Sequence, residues 1–103
     1  MNRFSRSLPH FQILCKTRQR KSYLKECPNY VIDDICEILY NVLQGKAAVD
    51  TKEANKINKM KTKLKQFMRK RKHPSRRKFV QNQDGGFLGA IIPIVASAIG
   101  ALL

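Results

Sequence analysis

Apolar residues recur every three or four positions through the middle of the chain. Between Asn29 and Gly45 they are Val31, Ile32, Ile35, Ile38, Leu39, Val42 and Leu43. This spacing predicts an amphipathic helix with one broad apolar face. We predict Asn29 as its N-cap and Gly45 as its C-terminal stop, since these residue types favour those positions.

A second helical pattern begins at Asp50. Asp50 and Glu53 have the spacing of a capping box, and the predicted helix continues to about Lys72. Its apolar positions again fit one face of a helix: Ala54, Ile57, Met60, Leu64, Phe67 and Met68. The connection over residues 45–49 is short, so residues 18–72 are predicted to form a small antiparallel helical hairpin, with Ile35 and Leu64 on facing stripes.

The two ends of the chain have different patterns. Residues 1–17 mix Arg, Ser and Pro without a sustained period, which predicts a flexible basic arm. Residues 73–84 are predicted to be a basic linker, and residues 85–103 an apolar tail that we expect to be helical. The predicted fold class is therefore all-α: a hairpin with two unlike ends.

Positive charge dominates the composition. The 103 residues include 21 Lys and Arg but only 7 Asp and Glu, giving a formal net charge of +14. After Glu53 no acidic residue occurs until Asp84, so the second helix and the linker are almost purely cationic. Such an excess points to a polyanionic partner, nucleic acid before an anionic membrane. The alternative is that the lysine-rich face is merely solvated.

The cations of the second helix and the linker are the candidate phosphate contacts. They are Lys56, Lys59, Lys61, Lys63, Lys65, Arg69, Lys70, Arg71, Lys72, Arg76, Arg77 and Lys78. The chain lacks zinc-finger spacing, an RNP-like aromatic strand and a heptad-supported basic region. We therefore predict sequence-independent contacts with backbone phosphates. The basic run over residues 69–78 would also serve as a nuclear localisation signal.

Catalytic and metal-binding patterns are missing from the sequence. No nucleophile, histidine and carboxylate set and no GxxxxGK loop is visible, so we predict no enzyme activity and no cofactor. Asp33, Asp34 and Glu37 are expected on the exposed side of the first helix. The three cysteines have no CxxC spacing and the two histidines are far apart, which argues against a metal site. Cys27 and Cys36 are predicted to be small apolar packing residues.

The tail contains 19 residues, about 28 Å if helical, against a hydrocarbon thickness of about 30 Å. We predict a membrane-active segment because Pro93 and several glycines weaken a stable span. Its predicted residues are Phe87, Leu88, Ile91, Ile92, Pro93, Ile94, Val95, Ile99, Leu102 and Leu103. The alternatives are a segment buried in a larger assembly and, least favoured, part of this protein's own core. The rival function is a small tail-anchored or peripheral membrane protein whose basic face binds lipid.

Two resemblances extend these expectations. The basic run followed by "DGGFLGAIIPIVASAIGALL" resembles the precursors of the adenovirus minor core protein mu, or protein X, over roughly residues 69–103. The segment "CPNYVIDDICEILYNVLQG" and the lysine-rich helix after it are similar to small basic proteins of Polinton or Maverick elements and adintoviruses. The resemblance implies a protein of the virion core that is carried with packaged double-stranded DNA, in the host nucleus during assembly, with capsid proteins or membrane as further partners.

The resemblance also implies a processing site. In these families an adenain-like cysteine protease cuts after Gly-Gly in the pattern Leu/Ile/Met-x-Gly-Gly. The corresponding segment here is Gln83-Asp84-Gly85-Gly86 before Phe87, in which Gln replaces the usual aliphatic residue. The alternative is that the paired glycines form a flexible joint.

Overall fold

The computed structural model describes residues 3–45, 50–83 and 85–102, and this part of the chain contains helices and their connections but no strand. The predicted all-α class is confirmed. After a 3₁₀-helix at Arg3–Ser7 come α1 (Leu8–Lys16), α2 (Arg20–Glu26), α3 (Asn29–Leu43), α4 (Thr51–Lys59), α5 (Lys61–Arg69), α6 (His73–Asn82) and α7 (Gly85–Leu102). The radius of gyration, 12.4 Å, is close to the roughly 13 Å expected for a compact chain of this length.

Helix α3 lies at the centre of the fold and contacts α5, α6, α7 and the 3₁₀-helix. Its predicted apolar face is buried, with Val31, Ile32 and Leu39 inaccessible to solvent. Gly45 has a φ of 73°, which favours glycine, so the predicted stop is confirmed. The predicted N-cap is displaced by one residue, because Asn29 is already helical and Pro28 occupies the cap position.

The second predicted helix is divided in the structure. Its start is confirmed, since the side chain of Asp50 accepts a hydrogen bond of 2.7 Å from the N–H of Glu53. The helix breaks at Met60, and α5 ends at Arg69 rather than near residue 72. The break lets α4 pack on α7 while α5 packs on α3 and α6. Residues 46–49 of the predicted hairpin connection lie outside the described residues.

Residues 1–17 were predicted to form a flexible arm. The structure describes this segment from residue 3 onward, and residues 3–16 are helical, so the prediction is wrong for them. Phe4, Phe11 and Leu14 are buried, and α1 packs against α7. Burial of a large apolar side chain stabilises a fold by about 1.5–3 kcal/mol, which offsets the entropy of ordering this short segment. Leu8 packs against the same core, but the apolar residues of this segment are few and Ile13 is exposed, so the sequence pattern did not predict a helix here.

Helix α7 packs inside the protein, whereas the sequence pattern favoured a membrane-active tail. Seven of the predicted membrane-active residues are buried in the core: Phe87, Leu88, Ile91, Ile92, Ile94, Val95 and Ile99. Pro93 is exposed within the helix, and neither the side chain of Leu102 nor Leu103 is among the described parts. Helices α1, α3 and α4 supply the apolar surfaces that cover α7, so the least favoured alternative is the observed one. Within the described residues no helix has the length and apolar character needed to cross a membrane.

The predicted linker over residues 73–84 is largely helical. Pro74 lies in the first turn of α6, where its missing N–H leaves no hydrogen bond unmade. Val80 is buried, and the ring of Phe79 stacks on Phe67 with centroids 5.5 Å apart. Phe79 also meets Phe87 edge-on at 6.0 Å, so α6 joins α5 to α7.

Candidate nucleic-acid interface

Helices α4 and α5 present cations on the faces that do not pack into the core. Ile57, Leu64 and Phe67 are buried and fix the orientation of the two helices. The opposite faces therefore project outward the predicted phosphate-binding residues of these helices, all of which are exposed: Lys56, Lys59, Lys61, Lys63, Lys65 and Arg69.

The connection between α5 and α6 continues this basic surface. Lys70, Arg71 and Lys72 are exposed, and the backbone is extended at Lys70, which ends α5. Lys78, on α6, is exposed as well. Within the described part of the chain, none of the exposed cations in residues 56–78 pairs with a carboxylate. They define the basic surface: Lys56, Lys59, Lys61, Lys63, Lys65, Arg69, Lys70, Arg71, Lys72 and Lys78.

Arg76 is predicted as a phosphate contact, but the structure gives its guanidinium internal partners. Its Nη1 donates to Oδ1 of Asp33 at 2.6 Å, and its Nε donates to the carbonyl oxygen of Lys70, also at 2.6 Å. Asp33 in addition lies 2.8 Å from Nε2 of His73. These contacts connect α6 to α3, so Arg76 has fewer donors left for a phosphate.

Arg77 is engaged more completely. Its guanidinium donates to the carbonyl oxygens of Leu24 and Cys27 at 2.7 and 2.6 Å, and to Oδ1 of Asn29 at 2.9 Å. These acceptors lie where α2 ends and α3 begins. Carbonyl groups at a helix C-terminus lack intrahelical donors, so a cation there is favourable. Arg77 therefore joins α6 to the α2–α3 connection.

The acidic residues of α3 are also used inside the fold. Asp34 is completely buried and accepts hydrogen bonds from the hydroxyl of Ser7 and from Arg6, whose Nη2 lies 3.1 Å from Oδ1. The hydrogen bond with Asp34 raises the pKa of the Arg6 guanidinium. Asp33 and Glu37 are half-buried. The expectation that Asp34 is exposed is wrong, because a buried carboxylate is stable when it is paired and hydrogen-bonded, as here.

Sequence reasoning missed a second group of cations at the start of α2. Arg18 and Lys21 line a groove of about 400 Å³ that reaches Leu88 of α7. Arg20, in the same groove, donates from Nε to the carbonyl oxygen of Leu14 at 2.9 Å. The signal was the segment "TRQRK", which has three cations in four positions but lies outside the long basic run.

Two of the three cysteines pack in the core. Cys27 and Cys36 are buried, as predicted, and burial raises the pKa of both thiols, whereas Cys15 is exposed. All three are free. Within residues 3–45, 50–83 and 85–102 no group of three or more His, Cys, Asp or Glu side chains is arranged to hold a metal ion.

Comparison with known proteins gives one family. The sequence model of the adenovirus late L2 mu core protein (Protein X) matches residues 5–102. No curated protein and no solved structure matches the chain. The match reaches far beyond the resemblance over residues 69–103, because it includes α1 to α5 and the acidic residues of α3. The predicted similarity to an adenovirus core protein is confirmed, and the chain belongs to the adenovirus late L2 mu core protein (Protein X) family.

Proposed function

We propose that this protein is a non-enzymatic component of a virion core that binds and condenses double-stranded DNA through sequence-independent phosphate contacts. The observation that carries the proposal is the basic surface, whose cations are exposed and free of carboxylate partners while the carboxylates of α3 are used internally. A phosphate backbone would relieve the repulsion among these cations. Membership of a core protein family supports the same role.

The dimensions of the molecule suit contact with a duplex. Its principal extents are 32, 30 and 27 Å, and duplex DNA carries one charge per about 1.7 Å of its axis. A duplex segment as long as the molecule therefore carries about 19 phosphates on its two strands, enough to engage the ten cations of the basic surface. Condensation also requires contact with a second duplex, and Arg18 and Lys21 on a different part of the chain provide a second cationic contact.

The compartment and origin follow from this role. We place the protein in the virion core, and in the host nucleus during assembly, where the basic run over residues 69–78 would act as an import signal. The packaged genome that it binds would be the linear double-stranded DNA of an adenovirus-like virus or of a Polinton or adintovirus relative. Capsid proteins would be its neighbours in the particle.

Processing by an adenain-like protease is a further part of the proposal. The bond between Gly86 and Phe87 lies in the first turn of α7, and the Phe87 side chain is buried. Proteases bind extended segments, so cleavage would require this turn to open, which paired glycines favour. Asp84 lies outside the described residues. Cleavage would leave the rest of α7 held by core packing alone.

The membrane-binding alternative has less support. A tail-anchored protein needs its apolar segment free to enter lipid, and α7 instead contributes Ile91, Ile92 and Val95 to the core. Exposing these side chains to a bilayer would remove the surface on which α1 and α3 pack. The basic surface could bind either anionic lipid or DNA, so the experiment must measure binding to both.

The test is the salt dependence of duplex binding by wild type and an Arg69→Gln, Arg71→Gln variant. Each phosphate contact contributes about 0.9 to the slope of log affinity against log salt. If about six phosphates are neutralised, we expect a wild-type slope of roughly −5, with little dependence on base sequence. The double variant should flatten the slope by about 2, because both arginines are exposed.

The matched control is a Lys16→Gln, Lys25→Gln variant, which removes the same charge from exposed positions on α1 and α2. It should change the slope by less than half as much. Equal changes in the two variants would mean that the basic surface is not the interface. A wild-type protein that prefers anionic vesicles to duplex DNA would overturn the proposed function.

A further inference from the structure

A groove of about 430 Å³ lies between α3 and α5, beside the basic surface. This volume is within the roughly 300–1,000 Å³ typical of small-molecule sites. Its apolar part is formed by Tyr40, Leu43 and Met68. Tyr40 is 49% exposed, although the apolar face of α3 is otherwise largely buried. Within the described residues the Tyr40 hydroxyl makes no hydrogen bond, and about half of the residue is accessible in this groove.

The α5 side of the groove is cationic. Lys61, Lys65 and Arg69 line it at intervals of four residues, which places them in one row with a rise of about 6 Å between neighbours. In the described part of the chain, none of them pairs with a carboxylate and no acidic side chain lines this groove. A ligand that fits must therefore combine negative charges with a flat group that can cover the ring of Tyr40.

A neighbouring groove of about 560 Å³ shares Tyr40 and Met68 but is less suited to such a ligand. Asp33 and Glu37 line it together with Arg71 and Arg76, and Arg76 pairs with Asp33, so the opposite charges of this groove offset one another, whereas the charged side chains of the first groove are all cationic. Charge thus directs an anionic ligand to the α5 side of Tyr40. Gln44, at the end of α3, lines the first groove and offers an amide for hydrogen bonds.

We propose that Tyr40 is a stacking platform for an unpaired base of single-stranded DNA, whose phosphates are bound by Lys61, Lys65 and Arg69. An aromatic ring beside a row of cations is the arrangement that binds single strands without base specificity. Bases inside a duplex are covered on both faces by their neighbours, so Tyr40 can stack only on a base that has left the helix. The inference rests on the proposed function and adds to it a preference for gaps, ends and other unpaired segments.

The test measures binding to a labelled oligothymidylate of about 12 nucleotides and to a labelled duplex at the same salt concentration. Tyr40→Ala should weaken binding to the single strand by about fivefold or more, since stacking of one base on an aromatic ring has an effect of that size. Its affinity for the duplex should stay within twofold of wild type. Tyr40→Phe should keep single-strand affinity, because the ring remains.

Ile13→Ala is the matched control, since Ile13 is also a large exposed apolar residue, at 46%, and lies on α1 away from the groove. It should change neither affinity. If wild type binds duplex but Tyr40→Ala binds the single strand as well as wild type, the platform is refuted and the proposed function stands. If wild type binds neither the single strand nor the duplex, the stacking platform and the proposed function are both refuted. Equal losses for single strand and duplex in Tyr40→Ala, or equal competition by polyglutamate and oligothymidylate, would also overturn the platform.

Discussion

Replacement of Ile92 by Ala tests whether α7 belongs to the core of this protein. Ile92 is 1% exposed and packs in the same cluster as the buried residues of α1 and α3. Truncation of a buried Ile to Ala costs about 2–5 kcal/mol through lost apolar contact and the cavity that remains. Domains of this size are stable by only about 5–15 kcal/mol. We therefore expect Ile92→Ala to lower the midpoint of thermal unfolding by about 8 °C or more.

The assay is thermal unfolding followed by circular dichroism at 222 nm, without detergent or lipid. Ser97→Ala is the control, because Ser97 lies on the same helix but is exposed. We expect that control to change the free energy of unfolding by no more than about 0.5 kcal/mol. If α7 instead lay in lipid or in an assembly, the body would unfold independently of it. Identical midpoints for wild type and Ile92→Ala would therefore refute the packing of α7 described here.

Three further changes test other parts of the structure. Asp50→Ala removes the acceptor at the start of α4 and should lower the free energy of unfolding by about 1 kcal/mol in denaturant titrations. Arg77→Met should cost about 2 kcal/mol, since it leaves several hydrogen-bond acceptors without their charged donor, yet it should leave the salt slope of duplex binding unchanged. Among the thiols, Cys15 should react rapidly with a thiol reagent, whereas Cys27 and Cys36 should react only as the protein unfolds. Burial raises the pKa of both buried thiols, so the folded state holds their protons longer; their contribution to stability should be complete below the ordinary thiol pKa of about 8.5 and decline at higher pH.

Features set by neighbouring residues could be predicted from the sequence. The face of α3, the cap at Asp50 and the stop at Gly45 depend on spacing and side-chain chemistry within one or two turns. The exposure of the cations of α4 and α5 followed for the same reason, since Ile57 and Leu64 fix which side of each helix faces the core.

The positions that depend on distant segments could not be predicted in this way. The apolar character of α7 is the same whether it enters lipid or a protein core, and the choice required the surfaces of α1, α3 and α4, which no local pattern describes. Asp34 and Arg77 are charged residues of the kind usually found at the surface. They become internal contacts only because Asp34 pairs with Arg6 and because Arg77 donates to carbonyl groups at the end of α2. The sequence by itself therefore determined the helical stretches that became α3, α4, α5 and α7, and the excess of positive charge, but not α1 or α6. The tertiary structure decided which charges remain free and where the apolar tail is buried, because the burial of a side chain depends on the partners that folding brings to it.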